Sequence, residues 1–295
     1  MKNKVLIFGE FGQVAKELIK EFQKEDFEVF PLSSKKFNFS DIKTLEKSIL
    51  EVNPRIVINA AAFNDVEGAE SEIEACRKAN AFGPKNISIL CNKFDLPFIH
   101  ISTDYVFGDQ KKEKPIEENA FKNPKGVYAQ SKFEGECFIN NKKRIILRVS
   151  WVFSLTGKNF LTTMLNLLDE NEIRVVNDQI SSPTSAIGIA TCILEISKKI
   201  ISKNEFNKWG TYHFSGYPYC SWFDFAEEIF NLLYLKKITK DKMKVSKISS
   251  KEYLSRVERP LYSALDCKQI YENFGIPMDD WKFQLSNYLD QLYEK

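Results

Sequence analysis

The first half of the chain alternates short apolar runs with amphipathic stretches. Val5-Leu6-Ile7-Phe8 is an uninterrupted apolar run that ends at Gly9, and Val14, Leu18 and Phe22 then recur at helical spacing. Further runs at Glu28–Leu32, Arg55–Asn59, Pro97–Ser102 and Arg144–Ser150 read as strands, with helical patterns between them at Ile42–Val52, Ala69–Lys93 and Val127–Asn140. Strands that are apolar throughout, rather than at every second position, are the ones covered on both faces. Strand and helix in alternation therefore predict an α/β fold on a doubly wound parallel sheet of the Rossmann type.

After Trp151 the alternation breaks down. A helix at Asn159–Asp169, a short strand at Ile173–Val176, a turn at Ser181-Ser182-Pro183 and a helix through Ile200 come first. A strand at Gly210–Phe214, a helix opened by Ser221-Trp222 and a terminal helix at Trp281–Leu292 follow. This reads as a smaller mixed C-terminal domain over the open edge of the sheet. The expected division is at residues 1–152 and 153–295, with some segments of the second part returning to the sheet.

Composition excludes more than it suggests. With 43% hydrophobic and 28% charged residues the chain is neither disordered nor membrane-embedded, and a net charge of +2 offers no field for nucleic acid. The lysines between Lys236 and Lys251 read as a solvated loop and helix end. Cysteines 76, 91, 137, 192, 220 and 267 form no C-x-x-C pair, and His100 and His213 are far apart, so no metal site or disulfide framework is expected. No apolar run reaches spanning length, and the run after Met1-Lys2-Asn3-Lys4 is too short for a signal-peptide core, so a cytoplasmic protein with no membrane partner is expected.

The candidate chemistry lies at the ends of the predicted strands. Gly9 suits a tight turn, and Gly12 lets backbone N–H groups approach a pyrophosphate at the positive end of the following helix. The spacing is G-x-x-G-x-x-A, with Ala15 in the third position, rather than the usual G-x-G-x-x-G. After the second strand, Ser33-Ser34-Lys35-Lys36 stands where an acid would bind a ribose 2′-hydroxyl. Hydroxyls and ammonium groups suit a 2′-phosphate, so NADPH is the expected cofactor and NADH the alternative. Ser102-Thr103 closes the fourth strand, and Tyr128 and Lys132 sit one helical turn apart. A phenol with an ordinary pKa of about 10 is a poor proton relay at neutral pH. A neighbouring ammonium is expected to favour its phenolate. A hydroxyl and a Tyr/Lys pair behind a glycine loop are the parts of a nicotinamide-dependent carbonyl reductase.

These motifs, together with Asn59-Ala60-Ala61-Ala62, Ala69-Glu70-Ser71-Glu72, Ser102-Thr103-Asp104-Tyr105-Val106-Phe107 and Ser150-Trp151-Val152-Phe153, carry a resemblance. It continues through Gly157-Lys158-Asn159-Phe160, Asn177-Asp178-Gln179, Pro183-Thr184, Gly210-Thr211-Tyr212-His213-Phe214, Ser221-Trp222 and Arg259-Pro260 with Ser263. Over nearly its whole length the chain resembles the dTDP-4-dehydrorhamnose reductase family of extended short-chain dehydrogenase/reductases. The resemblance implies an NADPH-dependent reductase of a nucleotide-linked 4-keto-6-deoxy sugar, dTDP-4-dehydro-L-rhamnose, serving cell-surface polysaccharide synthesis. It implies that Tyr128 donates a proton to the C4 oxygen, that Lys132 holds the nicotinamide ribose and tunes Tyr128, and that Thr103 hydrogen-bonds the same oxygen. Asp104 and Trp151 would bind the sugar. Gly9, Gly12, Gln13, Val14, Ser33, Asn38, Phe39, Ala62, Phe63 and Asn64, together with Tyr128 and Lys132, would contact the dinucleotide. The partner implied is the nucleotide-sugar substrate, and the protein would be a monomer or homodimer; a magnesium ion at an interface stays open, with no ligand residues assigned.

The chain departs from the family pattern at Asn38, Asn64, Glu67 and Ser181-Ser182. Two other readings stay open. A nucleotide-sugar dehydratase or epimerase shares the Tyr/Lys pair, but the 4,6-dehydratases carry Asp-Glu after the threonine, and here Asp104 is followed by Tyr105. A regulatory NADP-binding subunit resembling the beta subunit of methionine adenosyltransferase is the other.

Overall fold

The computed structural model describes residues 2–33, 38–110, 114–202 and 205–293. The chain runs β1 (Asn3–Phe8), α1 (Gln13–Gln23), β2 (Phe27–Leu32), α2 (Ile42–Val52), β3 (Ile56–Asn59), α3 (Ile73–Arg77), α4 (Gly83–Lys93), β4 (Phe98–Thr103), α5 (Gly126–Phe138) and β5 (Arg144–Val149). The second half adds β6 (Val152–Phe153), α6 (Phe160–Leu165), β7 (Glu172–Val176), β8 (Ile180–Ser181), β9 (Thr184–Ser185), α7 (Ala186–Ser202) and β10 (Gly210–His213). It closes with β11 (Gly216–Tyr217), β12 (Cys220–Ser221), α8 (Trp222–Leu235), β13 (Lys244–Ile248), α9 (Lys268–Phe274), β14 (Asp279–Asp280) and α10 (Trp281–Tyr293).

Six strands form one parallel sheet in the order β2-β1-β3-β4-β5-β10. Alternate residues of the buried strands serve opposite faces. Val5, Ile7, Ile58, Ile99 and Leu147 pack with α1, α7 and α9, whereas Leu6, Phe8, Val57, Phe98 and Ile146 pack with α2 and α4. The sheet is therefore wound on both faces, as the apolar runs require. Pro31, which lacks a ladder donor, lies in the edge strand β2, where that loss is tolerated. The reversal of strand order between β1 and β3 opens a crevice at their carboxyl ends, the position at which ligands bind in sheets of this type.

The second half has its own core, in which Phe153, Ile173, Phe225, Ile229, Trp281 and Leu285 join β6, β7, α8 and α10. It also supplies the sixth strand of the main sheet, β10, and the helix α7 that packs beside α1. Among the described residues no helix is long and apolar enough to cross a membrane.

Two elements differ from the sequence reading. Lys244–Ile248, inside the stretch read as a solvated loop and helix end, is the strand β13, paired in parallel with β7. The single helix expected over Ala69–Lys93 is a 3-10 turn at Gly68–Glu70, then α3, a π-helical segment at Lys78–Phe82, and α4. Pro84, at the start of α4, has no N–H to give, and in a continuous α-helix its ring would meet the carbonyl of Asn80. The π turn moves that carbonyl aside.

Candidate active site

The glycine loop meets the crevice directly. Gly9 adopts φ +109, a conformation that suits glycine, and a Cβ there would lie 2.7 Å from the Ala61 nitrogen and 2.9 Å from the Ala60 carbonyl carbon. Gly12 opens the 11-residue α1 without a side-chain cap, and the first turn of α1 has no acid. A Cβ on Gly12 would meet nothing closer than the Gly9 oxygen at 3.4 Å, so the face above the loop is open. Uncapped N–H groups at the positive end of a helix, under an open backbone surface, fit the pyrophosphate of a dinucleotide. Gln13 is tied across the molecule, its Oε1 accepting from Ser154 Oγ at 3.0 Å and Asn159 Nδ2 at 3.3 Å. Val14 and Ala15 are buried against the sheet.

The other expected dinucleotide contacts are placed unevenly. Ala62 and Phe63 are half-buried at the exit of β3, Asn64 is exposed, and Asn38 is exposed with its side chain accepting from the Ser40 N–H. Phe39 is 9% exposed and packs its ring against Gly83, so that ring belongs to the core under α4 rather than to an open adenine face. Ser33, expected to face the adenine ribose, is only 4% exposed, enclosed where β2 ends beside the glycine loop. Ser34, Lys35 and Lys36 lie outside the described residues.

Thr103 ends β4, and the start of α5 is fixed by Glu70, whose carboxylate accepts from the Val127 N–H at 2.7 Å, one residue before Tyr128. Inside α5, Ser131 Oγ accepts from Asn80 Nδ2 at 3.1 Å. The Asn80 amide also accepts from the Phe63 N–H at 2.8 Å and donates to the Phe63 carbonyl at 3.0 Å and to Cys76 Sγ at 3.4 Å. Asn80 therefore couples the loop after β3 to α5, which carries Tyr128 and Lys132. It was not among the residues singled out from the sequence, although Gly83-Pro84 inside an otherwise helical pattern was the signal that this turn is irregular.

The Tyr/Lys pair departs from the simplest expectation. Lys132 is 3% exposed and donates to the Ile101 carbonyl at 2.7 Å, and burial pulls its pKa down to about 8, against the charge of Glu136. Burial pushes the Tyr128 phenol well above its ordinary value, and Asp104 and Tyr105 push the same way. Thr103, within hydrogen-bonding reach of the phenol, opposes them. Enclosure, and not the lowering expected from Lys132, thus sets the state of this phenol. Tyr128 is held as a neutral acid, packed edge-on against Tyr105 with ring centroids 5.7 Å apart.

Asp104 lies behind Thr103. It is 1% exposed, and its oxygens accept from Thr103 Oγ1 at 3.1 Å, Ser263 Oγ at 2.5 Å and Ser181 Oγ at 3.5 Å. Burial raises its pKa to about 6 against these hydrogen bonds. Its carboxylate is thus enclosed and held by Thr103, Ser181 and Ser263. His100, also in β4, is buried, and Asn59 Nδ2 lies 3.1 Å from its Nδ1. Enclosure, with the Lys132 charge adding to it, keeps the ring neutral.

Trp151 follows the end of β5, whose Val149 pairs with Thr103, and the segment 255–263 reaches Asp104 through Ser263. Arg259 pairs with Glu67 at 3.3 Å, and its buried Nε has no partner among the described residues. Beside it lies a cleft of about 350 Å3 whose lining includes Gln179, Ser250, Lys251, Tyr253 and Arg259.

Comparison with known proteins decides the family. Residues 2–294 match the family model described as the RmlD substrate binding domain. The chain belongs to that family. The dTDP-4-dehydrorhamnose reductase of Aggregatibacter actinomycetemcomitans is 35% identical over 288 residues, covering 96% of this chain and 97% of the relative. Among solved members of the family, a dTDP-4-dehydrorhamnose reductase from Clostridium acetobutylicum superposes with a TM-score of 0.89 at 33% identity, covering 98% of this chain and 99% of that one. One from Bacillus anthracis, solved in complex with NADP, superposes with a TM-score of 0.90 at 31% identity and covers 99% of this chain and 100% of its own.

Proposed function

We propose that the protein is an NADPH-dependent reductase of a nucleotide-linked 4-keto-6-deoxy sugar, converting dTDP-4-dehydro-L-rhamnose to dTDP-L-rhamnose. The observation that carries this is the convergence of Thr103, Tyr128 and Lys132 at the carboxyl end of β4, beside an open glycine crevice, in a chain of the RmlD family. Residues 1–152 form the cofactor half, and 153–295, apart from the returning α7, β10 and α9, the substrate half.

Gly9, Gly12, Gln13 and Val14, the first turn of α1, and the backbone at Ala62 and Phe63 would hold the dinucleotide, with the exposed Asn38 and Asn64 at its rim and the enclosed Ser33 and Phe39 supporting it from the protein side. When bound, the nicotinamide supplies a hydride to the carbonyl carbon. Tyr128 gives its phenolic proton to the carbonyl oxygen as negative charge develops there, and Thr103 orients that oxygen. Lys132, held by the Ile101 carbonyl, sits where an ammonium steadies a ribose and the phenolate left after transfer. The partnerless Arg259 Nε and the adjoining Lys251, Tyr253 and Gln179 suit the anionic diphosphate and the nucleoside. Preference for NADPH over NADH is supported by the absence of an acid in Ser33-Ser34-Lys35-Lys36.

The test follows NADPH absorbance while the purified protein meets dTDP-4-dehydro-L-rhamnose, with the product identified as the 6-deoxyhexose. Stoichiometric oxidation supports the reading. Cofactor binding without turnover on any keto-sugar nucleotide would favour a regulatory binding subunit.

A further inference from the structure

We propose that Trp222 is a positioning residue of the sugar pocket: it stacks behind Trp151 and fixes the plane of that indole for the substrate. The proposal rests on the reductase reading above and extends it to a residue that does not itself touch the sugar. The pairing of Thr103 with Val149 brings Trp151, two residues beyond the end of β5, to the strand end that carries the reacting groups. Trp151 has φ +41, in the left-handed region that bulky side chains rarely adopt. Its flanks are pinned, the Thr184 N–H donating to the Trp151 carbonyl at 3.2 Å and Ser150 Oγ to the Ser182 carbonyl at 2.8 Å. The unusual backbone therefore presents this ring in one direction.

Trp222 comes from the other half of the molecule. It is the first residue of α8, set in place by a capping box in which Ser221 Oγ accepts from the Asp224 N–H and the Asp224 carboxylate accepts from Ser221. The two indoles lie with centroids 3.5 Å apart and planes 9° apart, and Phe160 backs Trp222 at 4.5 Å. Aromatic pairs left to themselves prefer an offset or edge-on arrangement. A face-to-face pair is held by its surroundings, here by the cap of α8 and by Phe160. The stack covers one face of Trp151 while the residue stays half-buried, and the face turned away from Trp222 would be the apolar plate offered to the substrate. Such a plate complements the C–H face and methyl group of a 6-deoxy sugar.

The test combines spectroscopy with a double-mutant cycle. Stacked indoles give an exciton couplet in circular dichroism, which Trp222→Leu should abolish and Trp222→Phe should also remove while keeping an aromatic support. Trp222→Leu should raise KM for the keto-sugar nucleotide about tenfold, the factor an aromatic pair can supply, with the NADPH dissociation constant unchanged. Trp222→Phe should recover most of that loss. In a Trp151→Leu background, Trp222→Leu should add no further rise in KM, because its effect passes through Trp151. A wild type without the couplet, an unchanged KM in Trp222→Leu, or fully additive effects would overturn the proposal. Absence of turnover in the wild type would instead overturn the reductase reading, and the couplet would still report whether Trp222 holds Trp151.

Discussion

At Asp104 two opposing effects meet: burial favours the protonated carboxyl, and three hydroxyl donors favour the carboxylate. Burial wins, raising the pKa from 3.8 to about 6. The folded state then binds more protons than the unfolded chain between those values, so this group's contribution to stability is full below pH 3.8 and is lost as pH rises through about 6. Asp104→Asn, neutral throughout, should lack that decline, and denaturant midpoints measured across the same pH range should diverge in favour of the variant as pH rises. Parallel curves would contradict this placement of the charge. Lys132 behaves in the opposite sense, because burial lowers its pKa from 10.5 to about 8. An anionic cofactor needs the ammonium, so NADPH affinity should fall as pH rises above about 8, and Lys132→Met should bind more weakly with that dependence removed. Isothermal titration across this range measures both.

The π-helical turn and α5 act as one element. Gly135 in α5 faces the Asn80 carbonyl so closely that a Cβ there would lie 2.1 Å from it. Gly135→Ala must push apart the two segments that set Tyr128 and Lys132, at a cost of about 1–3 kcal/mol, as overpacking commonly brings. Turnover should fall along with the thermal midpoint; wild-type kcat in a destabilised variant would show that α5 position is not set here. This turn also marks how far the sequence could be read. The apolar runs made the strands of the first half legible, and Ser221-Trp222 announced the cap of α8, because burial and capping follow local pattern. The split of Ala69–Lys93 was not legible from periodicity, since it answers to Pro84 and to the distant Phe63. Enclosure was missed for the same reason. Thr103, Tyr128 and Lys132 could be named from their spacing, but the burial of Asp104, Ser33 and Phe39 depends on elements remote in the chain.

Across the whole molecule, the halves are interlocked rather than merely joined. Arg148 of β5 pairs with Glu136 of α5 at 2.6 Å, both buried, donates to the Glu118 carbonyl at 3.0 Å and lies 3.3 Å from His213 Nε2 of β10. Arg148→Met would leave Glu136 charged and unpaired in the interior, and should cost about 3–5 kcal/mol in chemical denaturation. A loss below about 1 kcal/mol, the range of exposed pairs, would contradict this burial. The same interlock sets the glycine loop beside Ser154 and Asn159 and brings Ser263 onto Asp104, next to Thr103, so the two halves meet there. We propose that Tyr128 delivers the proton in a hydride reduction performed at that junction. Tyr128→Phe tests it, with NADPH binding and keto-sugar turnover measured on the same preparation. NADPH affinity should stay unchanged while turnover falls by about 100-fold to 10,000-fold; near-normal turnover in this variant would rule out Tyr128 as the proton donor.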